Sequence, residues 1–404
     1  MKILHIEEFF HPFAGYQVNM LARIQSQLGH ELFVMTSELE KMPSYLTDFF
    51  GKNNIIADDE EFKKSTKSEI IRIPIVGYIS GRVIFNFIKL FNEINKIKPD
   101  VVVVHGMDGF TGIVFILISR WLAYPIVVDC HMLEMASRNK FRKLFRWAYR
   151  KFVTPVIIKR SIPVIRVVED DYIEANLGVP IENSRLMPLG TDTEHFKPSE
   201  SARKETREML GVGVNDFIVL YAGKLDEQKG GIFLAEALNN KINLKGDKDI
   251  VFIIIGRCSG VYGERVDEIF RKSENKIIRL GTQKYFDLAK IYQSVDLVVF
   301  PRQCSMSFFE AQSCGVPVLF EDNPINQTRV YRENSILFKP NDIDSFRRSI
   351  IDISSRSISS REMSSRDSRE FVVQNYNFFS SAMKFTDLLK EVVGRHKSEA
   401  YDKW

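Results

Sequence analysis

Cysteine is scarce in this chain. Four residues in 404 (Cys130, Cys258, Cys304 and Cys314) are scattered, with none at metal-ligand spacing. Their number and scatter exclude a disulfide framework and suit a reducing compartment. Long apolar runs are lacking too. The longest, Phe110 to Val128, is broken by Arg120, well short of the roughly 20 residues a membrane span needs. It reads as a buried helix followed by a strand. No charge sign dominates: 56 Lys+Arg against 52 Asp+Glu leave +4, which carries no global signal for a nucleic-acid partner. No leader pattern is seen either, since Met1-Lys2 runs straight into the strand-like Ile3-Leu4-His5-Ile6, so the expected setting is the cytoplasm.

What remains is the composition of a soluble globular protein, 45% apolar and 27% charged. A chain of 404 residues exceeds one ordinary core, so two domains are expected. Val/Ile-rich runs alternate with helical patterns throughout. The first half offers Lys2–Ile6, Glu31–Thr36, Ile70–Ile73, Asp100–His105, Ile126–Cys130, Val164–Val168 and Arg185–Leu189. The second offers Phe217–Tyr221, Ile250–Ile255, Lys276–Leu280, Asp296–Phe300 and Val316–Phe320. Continuous apolar strands separated by helices predict parallel sheets covered on both faces, hence an α/β fold in two domains. The expected division is 1–195, 196–370 and a helical tail over 371–404 that packs back on the first domain. Ile353–Arg369, rich in Ser and Arg, reads as a solvated helix and loop, and Phe371–Val393 as a final helix. Ligands of such folds bind at the carboxyl ends of strands, here in a cleft between the domains.

Four loops at strand ends carry candidate chemistry. The first strand leads into His11-Pro12-Phe13-Ala14-Gly15-Tyr16 and then a helix. A small-residue loop there frees backbone N–H groups for an anion, or is an ordinary βα turn. Tyr221–Gly230 is a turn with Gly223 off a strand and two cations, Lys224 and Lys229, ahead of a helix at Ile232–Leu238. Such a turn can clamp a diphosphate; solvated surface lysines are the plain alternative. Phe308–Val318 sets Glu310 at a helix start beside Pro301–Ser307. That carboxylate can accept both hydroxyls of a ribose, or simply face the helix dipole. His131 ends the strand Ile126–Cys130, as a ligand to a sugar or as a satisfied local histidine.

Arg138–Arg160 is different. It holds nine Lys/Arg and no acid, interleaved with Phe141, Leu144, Phe145, Trp147, Tyr149 and Phe152. A basic amphipathic helix with aromatics on its apolar side lies on anionic membrane surfaces. A nucleic-acid patch and a core-facing helix with a solvated basic face are the other readings.

These motifs resemble the retaining two-domain (GT-B) glycosyltransferases of family 4, over nearly the whole chain. Pro12–Gly15 with Leu21-Ala22 and Gly29-His30-Glu31-Leu32 is similar to the family's opening loop, helix and strand. Asp129-Cys130-His131 is similar to its strand ending in an active-site histidine. Pro188-Leu189-Gly190-Thr191-Asp192 through Phe196-Lys197-Pro198 resembles its signature before the second domain. Gly223-Lys224-Leu225 with Lys229-Gly230 resembles its phosphate clamp, and Glu310-Ala311 with Cys314–Val318 its last motif.

The resemblance implies two facing Rossmann-like domains and a transferase that uses a nucleoside-diphosphate sugar. Lys224 and Lys229 would hold the diphosphate, Glu310 the ribose, Gly281 and Thr282 the base, and Ser305, Met306 and Ser307 the sugar-phosphate. Gly223 would turn the clamp, Gly15 would approach the phosphate, and His131 would sit over the transferred sugar. No metal and no cofactor are implied. The implied partners are the nucleotide-sugar donor, a glycan or lipid-linked acceptor and an anionic membrane surface, with no nucleic acid. Polysaccharide synthesis at the inner face of the membrane is the setting this suggests. The chain departs from the pattern at three places. Arg302 stands eight positions before Glu310, where the family has a second glutamate; Lys224 replaces an arginine; and Ala14-Gly15 replaces a double glycine. These departures keep two rivals open: a nucleotide-sugar-binding partner without catalysis, and a nucleotide-sugar epimerase or phosphorylase of similar fold.

Overall fold

A computed structural model describes residues 1–38, 55–79, 82–131, 141–167, 171–245, 248–257, 260–302 and 307–401. The chain forms two compact units: Met1–Leu189 together with Phe379–Trp404, and Gly190–Phe378.

The first unit holds a parallel sheet of seven strands. In chain order they are β1 (Lys2–Ile6), β2 (Glu31–Ser37), β3 (Glu69–Ile73), then the antiparallel pair β4 (Ile75–Ile79) and β5 (Arg82–Phe85), which stands outside the sheet, and β6 (Val101–Val104), β7 (Ile126–Cys130), β8 (Val164–Arg166) and β9 (Ser184–Leu186). The sheet order is β3-β2-β1-β6-β7-β8-β9. Its central strands are buried on both faces because both are covered. Leu4, Ile6, Val102, Val104 and Val128 pack with Phe115, Tyr149 and Ile157 on one side, and Val34 packs with Val18, Ala22 and Phe62 on the other. Each such side chain, taken fully from water, contributes about 1.5–3 kcal/mol. The helix Phe87–Ile97 starts where the Asn86 side chain accepts from Lys89 N–H, and ends at Lys98 in the left-handed region (φ 52°).

The second unit holds six parallel strands: β10 (Phe217–Ala222), β11 (Ile250–Ile255), β12 (Lys276–Leu280), β13 (Leu297–Phe300), β14 (Val318–Glu321) and β15 (Ser335–Phe338), in the order β12-β11-β10-β13-β14-β15. The reversal of strand order falls between β10 and β13, the crevice where open α/β sheets receive ligands.

Two expectations need correction. Ile353–Arg369 is not merely solvated: Ile353, Ser364, Asp367 and Ser368 are buried, and helices run over Ile343–Ser354 and Ile358–Asn375. The tail is not one helix from Phe371, because the chain breaks at Tyr376-Asn377 before the helix Phe378–Tyr401. The break has a use. Thr191 N–H donates to Tyr376 O and Phe378 N–H to Thr191 O, both at 3.0 Å. The two segments pass so closely that a Cβ on Gly190 would sit 2.0 Å from Tyr376 O, which accounts for glycine there.

Candidate active site

In the second unit, the strand ends bring most of the expected residues to one edge of the sheet. Gly223, Lys224 and Lys229 follow β10, Gly281 and Thr282 follow β12, and Ser307 and Glu310 follow β13. The turn after β10 is closed by Asp226, whose Oδ1 accepts from Lys229 N–H at 3.0 Å and whose carbonyl accepts from Gly231 N–H at 3.0 Å. Gly230 there is left-handed (φ 78°). Gly256, after β11, has φ 122°, and a Cβ on it would lie 1.8 Å from Gly223 O. Two strand-end backbones touch at this point, and only glycine fits. Both lysines are half-buried rather than splayed into solvent.

Arg302 belongs to this turn. Its Nη2 donates to Asn341 Oδ1 at 3.0 Å, its Nη1 to Glu227 O at 3.4 Å, and its aliphatic stem covers Gly230. The residue found where the resemblance has a glutamate therefore braces the lysine turn. Ser305 and Met306 lie outside the described residues. Ser307 Oγ donates to Ala222 O at 3.4 Å, tying the helix Phe308–Ser313 to β10.

Glu310 is 5% exposed. Its Oε1 accepts the Tyr285 hydroxyl at 3.1 Å, and the Tyr285 oxygen pairs with the Thr191 hydroxyl at 3.0 Å. Oε2 has no hydrogen-bond partner among the described residues. Burial pushes the Glu310 carboxyl up to about 7, against its own backbone N–H and the Tyr285 and Thr191 hydroxyls, which favour the charge. Burial, and then the Glu310 charge, hold the Tyr285 phenol well above its ordinary range, so it stays a donor. Phe196, fully buried, packs its ring on Tyr285 at 5.0 Å. Residues of the segment Gly190–Pro198 thus position Glu310 through Tyr285. Sequence reasoning missed Tyr285, because no spacing in the chain connects it to Glu310.

In the first unit, Gly15 is exposed in the loop after β1, and Tyr16 caps the helix Gln17–Gln27 without a side-chain bond. His131 follows β7, and its Nε2 lies 3.1 Å from Asp129 Oδ2. The same oxygen lies 2.5 Å from His105 Nδ1, while Oδ1 accepts from Gly106 N–H at 2.9 Å. His105 Nε2 meets His5 Nδ1 at 3.0 Å. His105, Asp129 and His131 offer three ligand atoms within 4.8 Å, the one such grouping among the described residues. The ring nitrogens facing Asp129 are hydrogen-bonded to it, so the three side chains form a continuous hydrogen-bonded chain.

The helix Arg142–Ala148 continues through a wide turn, Tyr149–Val153, into Thr154–Lys159, where Pro155 lacks the N–H of a regular turn. Tyr149, Val153 and Ile157 face the core. The expected basic segment with interleaved aromatics divides its apolar side chains between core and surface. Phe141 (73% exposed), Leu144, Trp147 and Phe152 point outward among the cations, and Lys151 sits 5.0 Å from the Trp147 ring centre. Arg138 and Lys140 lie outside the described residues.

Residues 216–356 match the family Glycosyl transferases group 1. The chain carries a group 1 glycosyl transferase domain. This domain is the second unit's sheet from β10 to β15 and contains the lysine turn and Glu310. Across both units the chain is similar to an Escherichia coli protein, UDP-Gal:alpha-D-GlcNAc-diphosphoundecaprenol alpha-1,3-galactosyltransferase. The two are 25% identical over 322 residues, which cover 76% of this chain and 79% of the relative. The glycosyl transferase fold extends to solved structures. A glycosyltransferase from Rickettsia africae superposes with a TM-score of 0.73 at 16% identity, covering 97% of this chain and 98% of the other. Anabaena Alr3699/HepE in complex with UDP and glucose gives 0.69 at 18% identity, covering 97% and 100%. The architecture is therefore that of the GT-B glycosyltransferases, two Rossmann-like α/β domains.

Proposed function

We propose that this glycosyl transferase moves a sugar from a nucleoside-diphosphate donor to an acceptor hydroxyl with retained configuration. The observation that carries this reading is Glu310, a buried carboxylate with one oxygen unpartnered among the described residues, on the same sheet edge as the two-lysine turn. A ribose supplies the hydroxyl donors that oxygen lacks, and a diphosphate supplies the charge the lysines face. The binding of UDP by Anabaena HepE and the UDP-sugar named for the Escherichia coli relative support it.

In this reading the bond from the sugar's anomeric carbon to the phosphate oxygen breaks through an oxocarbenium-like state. Lys224 and Lys229 stabilise the charge gathering on the departing diphosphate, which places no demand on a metal. The acceptor oxygen attacks the same face, and its proton passes to the phosphate oxygen that leaves. In this reading His131 is the residue of the first unit assigned to the sugar. Asp129 is not a nucleophile here, since it is fully buried and held by two imidazoles and an N–H.

A panel of nucleoside-diphosphate sugars tests the reading, with released nucleoside diphosphate as the readout. Release is expected for at least one donor, and Lys229→Ala should cut it by about tenfold to hundredfold, the loss of a charge-assisted contact to a dianion. Binding without release would make the chain a nucleotide-sugar-binding protein, and an isomerised sugar would make it an epimerase.

The acceptor in this proposal is lipid-linked or a growing envelope glycan, met by a chain that works in the cytoplasm at the inner face of the membrane. The support is the face carrying Phe141, Leu144, Trp147 and Phe152 among Arg142, Lys143, Arg146 and Lys151. Aromatics left in water beside cations fit an anionic bilayer surface better than a solvated helix. No described helix is long and apolar enough to cross a membrane. The protein should sediment with vesicles containing anionic lipid at low salt and be released at high salt. Failure to bind at low salt would remove the membrane from the proposal and leave the chemistry standing.

A further inference from the structure

A chain of polar side chains crosses the middle of the first unit's sheet. Gln25 Oε1 meets His5 Nε2 at 2.8 Å, His5 Nδ1 meets His105 Nε2 at 3.0 Å, and His105 Nδ1 meets Asp129 Oδ2 at 2.5 Å. His131 Nε2 reaches the same oxygen at 3.1 Å. His5 lies on β1, His105 follows β6 and Asp129 lies on β7, three adjacent strands. His5, Gln25, His105 and Asp129 are all buried; only the His131 side chain opens outward, 37% exposed. A core needs none of these groups, because apolar residues of similar size would cost less to bury. The chain therefore serves its one open end.

We propose that Asp129, itself held by His105 and His5, is the positioning residue of His131, fixing its ring with Nε2–H turned inward and Nδ1 presented to the ligand. A carboxylate only accepts, so the nitrogen facing it carries the hydrogen. The neutral ring then has its lone pair at Nδ1, and the charged ring has a second N–H there. His105 occupies the other approach to Oδ2 and Gly106 N–H holds Oδ1, so the carboxylate cannot turn away. Among the described residues, the groups that act on His131 are Asp129, Glu7 and Asp108, together with the His105 ring at 6.3 Å. Burial works against the charged His131 ring. The Asp129 charge and hydrogen bond, with Glu7 and Asp108 beyond, outweigh it and raise the pKa. Such a ring accepts at Nδ1 when neutral and donates there when charged, which suits contact with a sugar hydroxyl, itself both donor and acceptor.

The activity arm rests on the transferase reading; the spectroscopic arm does not. Nitrogen NMR of the full chain with labelled histidine, assigned by the signal lost in His131→Asn, should show His131 protonated at Nε2 and titrating at Nδ1. Asp129→Asn should lower its titration midpoint, and His105→Gln should lower it less. In turnover, Asp129→Asn should reduce kcat about tenfold or more with the donor KM unchanged, because the nucleotide contacts lie in the other unit. A His131 ring protonated at Nδ1, or a midpoint that Asp129→Asn leaves in place, overturns the proposal whatever the activity. So does a zinc complex of the wild type that His131→Asn abolishes. If the spectra hold and no donor is turned over, the transferase reading fails and the positioning of His131 stands.

Discussion

Asp296→Ala should destabilise the second unit by about 3–5 kcal/mol, the cost of leaving a buried charge without its partner. Asp296 precedes β13 at the end of the sheet opposite the lysine turn. Its Oδ2 accepts from Arg207 Nη2 at 2.7 Å and from Ile218 N–H at 2.8 Å, and its Oδ1 accepts from Arg203 Nη2. Arg207 is 4% exposed, and its remaining donors go to the carbonyls of Ser294, Gly213, Val214 and Asp216. The guanidinium thus ties the helix Glu200–Met209 to the entry of β10 and to the loop before β13. Without Asp296 every carbonyl contact survives but the charge is uncompensated. For a unit of this size the loss corresponds to a fall of about 6–20 °C in its thermal transition. Nucleotide affinity below that transition should be unchanged, since the proposed contacts lie at the other end of the strands. A loss under about 1 kcal/mol in urea denaturation would show that Arg207 is solvated or re-paired in the variant.

The central strands of each sheet were legible because they are buried on both faces. Runs such as Val101–Val104 and Ile250–Ile255 have no polar alternation to confuse with a helix face, and flanking turns bound them. The elements that escaped are short or irregular. β4 and β5 follow Pro74 and carry a register shift between Ile75 and Gly77, and β15 is four residues with no apolar run before it. Clustered candidates were legible for a related reason. Lys224 and Lys229 share one turn, and Glu310 stands in the first turn of the helix that follows β13, so their placement is written in local spacing.

The partners of those residues were not legible, because the sheet assembles them from afar. His5 and His105 are 100 positions apart, His105 and Asp129 are 24 apart, and Thr191 and Tyr285 are 94 apart. A lone histidine in an apolar strand reads as a satisfied core residue. The available signal was two histidines and an aspartate at or near the ends of runs that a parallel sheet would set side by side. Arg302 shows the opposite failure. Sequence placed it where a ligand-binding carboxylate was expected, but its partners, Glu227 and Asn341, turn it into a brace for the lysine turn.

Glu310→Gln should separate what the carboxylate costs from what it does. The folded carboxyl titrates at about 7 against an ordinary 4.5, so the folded state holds this proton more tightly than the unfolded chain. The sign follows: its contribution to stability is complete below pH 4.5 and is lost as pH rises through 7. Between pH 4.5 and 8 the wild type should therefore lose about 3 kcal/mol relative to Glu310→Gln, other groups cancelling between the two. Urea denaturation of both proteins across that range measures it, and parallel curves would refute the burial argument. Nucleotide binding should run the other way. In the proposed site, ribose hydroxyls would donate to the ionised carboxylate at Oε2, which has no partner among the described residues, so binding would draw Glu310 toward its charged form. Affinity for the nucleoside diphosphate should then gain about tenfold from pH 6 to 8 beyond any change in Glu310→Gln. Titration of both proteins in parallel removes the contribution of the phosphate's own proton. An equal slope in the two would mean that the ribose does not meet this oxygen. On the proposed function, the carboxylate that weakens the apo domain at neutral pH is the one that a bound nucleotide would relieve, so that stability given up in the empty site would return as affinity.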